Sequence, residues 1–274
     1  MTPVAEHLEQ LVHIIPIGYE IDRVVTPFQE MKAHRVHLIS MDNQSTAHPT
    51  EQAKTTRQRG FDERNREILL QYGIEVEIHR IDMFDIITVM ETISRLIVQE
   101  KEKGNRVYVN MSACGKIACV GATLAAMIHD VQLYYVRASR YSSTKREQYE
   151  HGLSICEKAK IWQLENFRFA LPDESSLLLL NYLARSGEER SCDELIRYLH
   201  ALHTEGFLEE YWNLGYEKRR KLQTQYLMKL QNRYLNKLEE AGYITRRKVG
   251  RNTLVKLTKT GRYVAAVSGM QQDT

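Results

Sequence analysis

The chain has 274 residues, 27% of them charged, 43% apolar and a net charge of +3. That length holds two domains, each large enough to bury a core, and the composition is that of an ordinary soluble protein. No apolar run approaches the roughly 20 residues that span a bilayer, and residues 1–7 lack the basic and apolar regions of a leader. Cys114, Cys119, Cys156 and Cys192 form no C-x-x-C pair and no zinc-like spacing with histidine. The expectation is a cytoplasmic protein with reduced thiols, no membrane contact and no metal ligand set.

Residues 11–17 are a continuous apolar run, the pattern of a strand buried on both faces, ended by Gly18. A helix begins at Tyr19 and runs to Phe28, and residues 34–40 are a second strand. Residues 41–60 are polar and carry no clear period. A helix follows over 61–72, stopped by Gly73. Residues 74–79 alternate as a strand with one face more exposed, and 84–103 are a long amphipathic helix closed by Gly104 and Asn105. Asp82 and Asp85 bracket its start as capping residues. Val107 to Val109 form a strand, residues 110–116 a turn of small and polar residues, 117–127 an apolar helix, and 131–136 a fifth strand. His13 and His37, inside apolar strands, read as core histidines.

Strands alternating with helices predict an α/β layer fold with a mostly parallel sheet. In such sheets ligands sit beyond the C-terminal strand ends at the topological switch point. Two loops qualify, 16–23 and 110–116. The second opens a helix, whose N-terminal N–H groups and dipole favour an anion. That helix has almost no polar face, so it packs on the sheet or on a twin subunit. Lys116 at its start opposes the dipole and better serves an incoming anion than the helix.

Residues 141–165 read as a connector between a sensing domain, 1–140, and a second domain, 166–274. Pro172 and its acidic neighbours open a helix filled by 177–183 and ended at Gly187. Ser191 and Glu194 form a capping box before 195–202, and 221–241 are a longer helix. Residues 242–258 form a hairpin with a basic tip, and 259–267 a closing helix. Three helices followed by a basic hairpin predict a winged helix-turn-helix.

Residues 215–262 contain 14 basic and 3 acidic side chains, so the rest of the chain is net acidic. That asymmetry points to a nucleic-acid-binding domain on an acidic body. On a helical wheel Leu227, Leu230, Tyr234, Leu238 and Ala241 share one face. Gln225, Lys229, Asn232 and Asn236 share the opposite face with Arg233 beside them, side chains suited to base edges and phosphates. Arg246, Arg247, Lys248 and Arg251 fall on or near the wing, where they would meet phosphate or the minor groove.

The stretch 13–23 together with Tyr108-Val-Asn-Met-Ser-Ala-Cys-Gly-Lys-Ile-Ala118 resembles the archaeal transcriptional regulators that fuse a CARF domain (CRISPR-associated Rossmann fold) to a winged helix. The likeness follows the whole chain in domain order. It implies a Rossmann-like parallel sheet, a homodimer with strand-end loops meeting across the two-fold axis, and a cyclic oligoadenylate, usually the four-adenylate ring, bound there. Asn110, Ser112, Ala113, Gly115 and Lys116 match the family's loop after the fourth strand, and Gly18, Tyr19 and Arg23 match its first loop. Cys114 stands where that family usually has glycine, and Gly115 where it has threonine.

The expected function is therefore a ligand-responsive regulator that binds double-stranded DNA and cyclic oligoadenylate, and is not an enzyme. Two alternatives follow from the same residues. One is a ring nuclease that cleaves the oligoadenylate, with Ser112 and Lys116 at the reacting phosphate and the winged helix as an interaction module. The other is a ligand-independent DNA-binding protein, which the Cys114 and Gly115 departure favours.

Overall fold

Strand β1 (Leu11–Pro16) lies inside the sheet, and both of its faces are covered. Ile15 faces a cluster with Leu38, Phe61 and Leu69, whereas Ile14 faces one with Val89, Ile93, Val109, Ala118 and Ala122. Two apolar faces require a continuous apolar run instead of alternation. The structure, a computed structural model, describes residues 8–42, 49–167, 169–250 and 252–270, the side chains of 49–55 excepted. The chain divides into two units between Phe169 and Ala170.

In the first unit β1 is followed by a short α1 (Asp22–Val25) and a 3₁₀ turn, Thr26–Gln29. The expected longer helix is cut short. Glu20 bridges to Gly152 as extended backbone, and Pro27 lies in the turn. Then come β2 (Arg35–Met41), α2 (Pro49–Gln71), β3 (Glu75–Ile81), α3 (Ile86–Glu102), β4 (Arg106–Asn110), α4 (Lys116–Ile128) and β5 (Gln132–Arg137). Asp85 caps α3 by accepting from the amides of Ile87 and Thr88 at 3.2 Å each. Helix α2 begins well before Phe61. Its first half carries no apolar stripe, so periodicity exposes only the half that packs.

Residues 141–165 are not a free connector. They form part of the first unit: β6 (Arg140–Tyr141), α5 (Lys145–His151), β7 (Ser154–Ile155) and β8 (Lys160–Leu164). Strand β8 pairs antiparallel with β5, and the sheet order is β3-β2-β1-β4-β5-β8. The other neighbours are parallel. The strand order, not the strand direction, reverses between the parallel neighbours β1 and β4, so the switch point of this Rossmann-like sheet lies where the two predicted loops begin. The excursion is held by buried carboxylates. Glu20 accepts from the amide and hydroxyl of Ser154 at 3.0 and 2.7 Å, and Asp22 accepts from the amide of Cys156 at 2.9 Å.

The second unit is a winged helix. Helix α6 (Glu174–Ser186) is capped by Asp173, whose side chain accepts from the amide of Ser176 at 3.0 Å. Strand β9 (Arg190–Ser191) leads into α7 (Cys192–Ala201) through the expected Ser191 and Glu194 capping box. Helix α8 (Tyr216–Leu230) continues through a π turn, Gln231–Leu235, into α9 (Asn236–Glu240). The wing, β10 (Ile244–Val249) and β11 (Asn252–Leu257), pairs with β9 in a three-stranded sheet, and α10 (Lys259–Val267) follows. The π turn changes the wheel. Tyr234 and Leu235 are both buried within it and Ala241 beyond it is exposed, while ahead of it Tyr226 is buried and Leu227 half-buried. An extra residue in one turn rotates everything after it, which a uniform 3.6-residue period does not capture.

Candidate functional site

The first and fourth strand-end loops touch. The amide of Gly18 donates to the carbonyl of Ala113 at 2.7 Å, and a Cβ at Gly18 would lie 3.5 Å from that oxygen. Above this contact is a cavity of about 590 Å³, within the range of small-molecule sites. Gly18, Tyr19, Ala113, Cys114, Gly115 and Lys116 line it, six of the nine expected ligand residues. Helix α4 starts here with Gly115 at its N-cap and, among the described residues, no side chain capping it, so the dipole end opens on the cavity. Lys116 and Ile117 are exposed at the mouth.

Arg23, Asn110 and Ser112 do not line the cavity; they brace it from behind. Arg23 donates to the carbonyl of Ser112 at 3.0 Å and to the hydroxyl of Tyr135 at 3.1 Å, and lies 3.7 Å from Glu20. Asn110 is fully buried. Its amide donates to the carbonyl of Arg23 at 3.0 Å, and its oxygen accepts from the amide of Ser112 at 2.9 Å and from the Ser112 hydroxyl. These three residues tie α1, β4 and β5 together under the loops. Both terminal nitrogens of Arg23, the Asn110 amide and the Ser112 hydroxyl bond within the protein, which is why the resemblance to a binding loop overstates their reach toward a ligand.

Sequence reasoning missed Gln58, Met83, Phe84 and Leu153, which also line the cavity. Gln58 is buried and donates to the carbonyl of Gly18 at 2.9 Å and to Asp62 at 3.0 Å. It lies in the stretch without a clear period, so no pattern marked it. Phe84 is 69% exposed and gives the mouth an apolar edge. The Arg57 guanidinium lies over the Tyr19 ring at 4.7 Å, and burial raises the phenol's pKa. Burial, reinforced by Cys119, pushes the Cys114 thiol up to about 12, so it stays protonated. His13 is a core residue: burial lowers it to about 4, offset in part by its contact with the carbonyl of Lys32, and it sits 3.0 Å from the hydroxyl of Tyr134.

In the second unit Gln225, Lys229, Asn232 and Arg233 are exposed, and Asn236 is half-buried beyond the π turn. Lys229 and Arg233 lean on the preceding loop, at 3.4 Å from the carbonyl of Gly206 and 3.5 Å from that of Glu205. On the wing, Arg246 pairs with Glu239 at 2.5 Å and Arg247 with Glu189 at 2.5 Å, while Lys248 is exposed. Arg251 lies outside the described residues. A further cationic surface emerges at the start of α8, where Lys218, Arg219, Arg220 and Lys221 are all exposed. The helix begins five residues earlier than periodicity indicates, because that first turn has no apolar stripe.

Fold and site together define a two-unit protein: a Rossmann-like α/β unit with a cavity at its switch point, and a winged helix. Residues 11–141 match the family profile described as "HFX_2341_N:-like, N-terminal", and residues 175–269 match the "DUF6293 C-terminal winged helix domain". The uncharacterized protein MJ1513 of Methanocaldococcus jannaschii is 24% identical over 208 residues, covering 68% of this chain and 60% of that protein. Among solved structures, Csm6 of Enterococcus italicus bound to cyclic hexa-2′-fluoro-hexa-dAMP is similar at a TM-score of 0.43 and 13% identity, covering 86% of this chain and 59% of its own. Can2 of Sulfobacillus thermosulfidooxidans in complex with cyclic tetra-adenylate is similar at 0.39 and 12%, covering 93% and 63%. At these scores neither carries a residue correspondence. The chain thus spans about 60% of the length of the relatives it matches. Among the described residues no helix is long and apolar enough to cross a membrane.

Proposed function

We propose that the protein is a homodimeric DNA-binding transcriptional regulator whose α/β unit, of the CARF type, senses a cyclic oligoadenylate, the four-adenylate ring foremost. The observation that carries this reading is the start of α4, which no side chain among the described residues caps, with Lys116 beside it, opening on the switch-point cavity. An oriented set of amides plus one cation is a phosphate site. The resemblance of both loops to the CARF regulators supplies the ligand class. A ring of several nucleotides exceeds one such cavity, so two copies facing across a two-fold axis would share it. The winged helix supplies the output. For the ligand to switch it, the ring must bind the two arrangements of the dimer with different affinity.

The α/β unit acts as a binder and not as a ring nuclease. The Ser112 hydroxyl is held by Asn110, and Cys114 is protonated and faces the carbonyl of Met111 at 3.8 Å. Neither is poised as a nucleophile or a charge-stabilising donor.

The test is a thermal-shift and calorimetric screen against cyclic oligoadenylates of several sizes, with Lys116→Ala alongside. The expected result is a stabilisation by one ring size at one ring per dimer. In the variant affinity falls about 10- to 100-fold, the worth of a charge-assisted bond of about 1.5–3 kcal/mol. No shift with any ring from a protein that still binds DNA would refute the effector. Linear products in multiple turnover would refute the binder reading.

A further inference from the structure

Three potential ligand atoms converge on the sheet face beneath α3, away from the cavity. His37 on β2 is in register with Glu77 on β3, and His79 is two residues further along the same face. His37 Nδ1 lies 3.0 Å from His79 Nε2 and 3.4 Å from Glu77 Oε2, and the latter two atoms are 3.7 Å apart. The edge of a tetrahedron with zinc-like arms of 2.0–2.1 Å is about 3.4 Å, which these three distances bracket. A point equidistant from all three atoms in their plane is about 2.0 Å from each, so an ion fits with a small step out of the plane.

The surroundings also suit an ion. His37 is 2% exposed, and its Nε2 is buried with no hydrogen-bond partner among the described residues. That atom lies at ion-pair distance, 3.5 Å, from Glu100 Oε1, so a small closing shift would let the carboxylate orient the imidazole and leave Nδ1 for the metal. The His79 and Glu77 side chains are 23% and 46% exposed, so the ion's remaining position would face solvent. Arg35 lies 3.7 Å from the other Glu77 oxygen and compensates its charge.

The geometry points to a divalent transition-metal site formed by His37, Glu77 and His79, with Glu100 as the positioning residue behind His37. Two imidazoles and one carboxylate are a borderline donor set that suits Zn²⁺ over Mg²⁺ or Ca²⁺. The ion pins edge strand β3 to β2 and, through Glu100, to the last turn of α3. Sequence pattern conceals the site because its ligands come from two strands about 40 residues apart, with no short ligand motif. It stands independently of the nucleotide reading.

The test uses untagged full-length protein stripped with a chelator and dialysed. Co²⁺ is titrated while visible absorption is followed, and Zn²⁺ is then added in competition. The expected result is one Co²⁺ per chain with d–d bands that one equivalent of Zn²⁺ removes. His79→Ala, a half-exposed position, should lower Zn²⁺ affinity by at least about 100-fold. Glu100→Gln should lower it about 10-fold and shift the Co²⁺ bands at unchanged stoichiometry, as loss of an outer-shell partner does. Zn²⁺ uptake that is absent in the wild type, or equal in the wild type, His79→Ala and Glu77→Gln, overturns the proposal. Circular dichroism confirms that each variant is folded.

Discussion

Replacing Glu100 by glutamine should destabilise the α/β unit by about 3 kcal/mol near neutral pH, and the loss should vanish in acid. The carboxylate is 2% exposed and accepts from Arg35 at 3.0 and 3.2 Å, Lys103 at 2.8 Å and Asn105 at 2.6 Å. Burial pushes its pKa up, but Lys103, Asn105 and Arg35 outweigh burial and hold it at about 2 against an ordinary 4.5. That difference corresponds to about 3 kcal/mol in favour of the charged form. Removing one member of a buried pair costs about 3–5 kcal/mol, which agrees. The sign follows from the direction. A carboxyl depressed in the folded state stabilises fully above about 4.5, and the contribution is lost as pH falls through about 2. The assay is urea denaturation from pH 7 to 3 in EDTA, in a Trp212→Phe background so that Trp162 on β8 is the reporter. A wild-type advantage under 1 kcal/mol at pH 7, or one that does not shrink between pH 4.5 and 3, would refute the reasoning.

Gly152→Ala should cost about 2–4 kcal/mol, because φ is +86° and a Cβ would sit 2.7 Å from three backbone atoms of residues 19–21. Native-state hydrogen exchange should show the loss at the Leu153 amide, which bonds the carbonyl of Tyr19 at 2.8 Å; unchanged protection would contradict it. Cys114 should resist iodoacetamide at pH 8 until the protein is denatured, and rapid native-state labelling mapped to it by mass spectrometry would contradict its thiol at about 12. Under the DNA-binding reading, glutamines at Lys218, Arg219, Arg220 and Lys221 should weaken binding to all sequences. They should also flatten the salt slope by about 0.9 for each phosphate no longer neutralised. Asn232→Ala with Arg233→Ala should instead reduce discrimination between operator and random duplex. Neutralising Arg246 and Arg247 should have the smaller effect, since both already pair with glutamates. Fluorescence anisotropy across a salt series separates these outcomes.

Strand and helix alternation was legible wherever burial imposes a period. Both faces of β1 are covered, so its run is continuous, and the Ser191 and Glu194 box marks the start of α7 because capping is a local hydrogen-bond pattern. The early turns of α2 and α8 were not legible, because an exposed helix surface leaves no apolar stripe. The candidate cavity was legible in its two loops, where strand ends and the α4 start imply an anion site. The opposing wall, Gln58 and Leu153, was not.

The amino-acid sequence by itself determined the two-part architecture, the loops that meet at the switch point and the cationic character of the second unit, because these depend on local periodicity, capping and summed charge. Only the tertiary structure decided which polar groups remain available. It turned Arg23, Asn110 and Ser112 inward as struts, paired Arg246 and Arg247 with glutamates, rotated the end of the long helix through a π turn, and brought His37 together with Glu77 and His79. Most of those outcomes depend on partners distant in the chain, such as Arg23 with Ser112, Arg247 with Glu189 and His37 with His79, or on a single inserted residue. Residue type and spacing carry no record of which hydrogen-bonding capacity has already been satisfied within the fold.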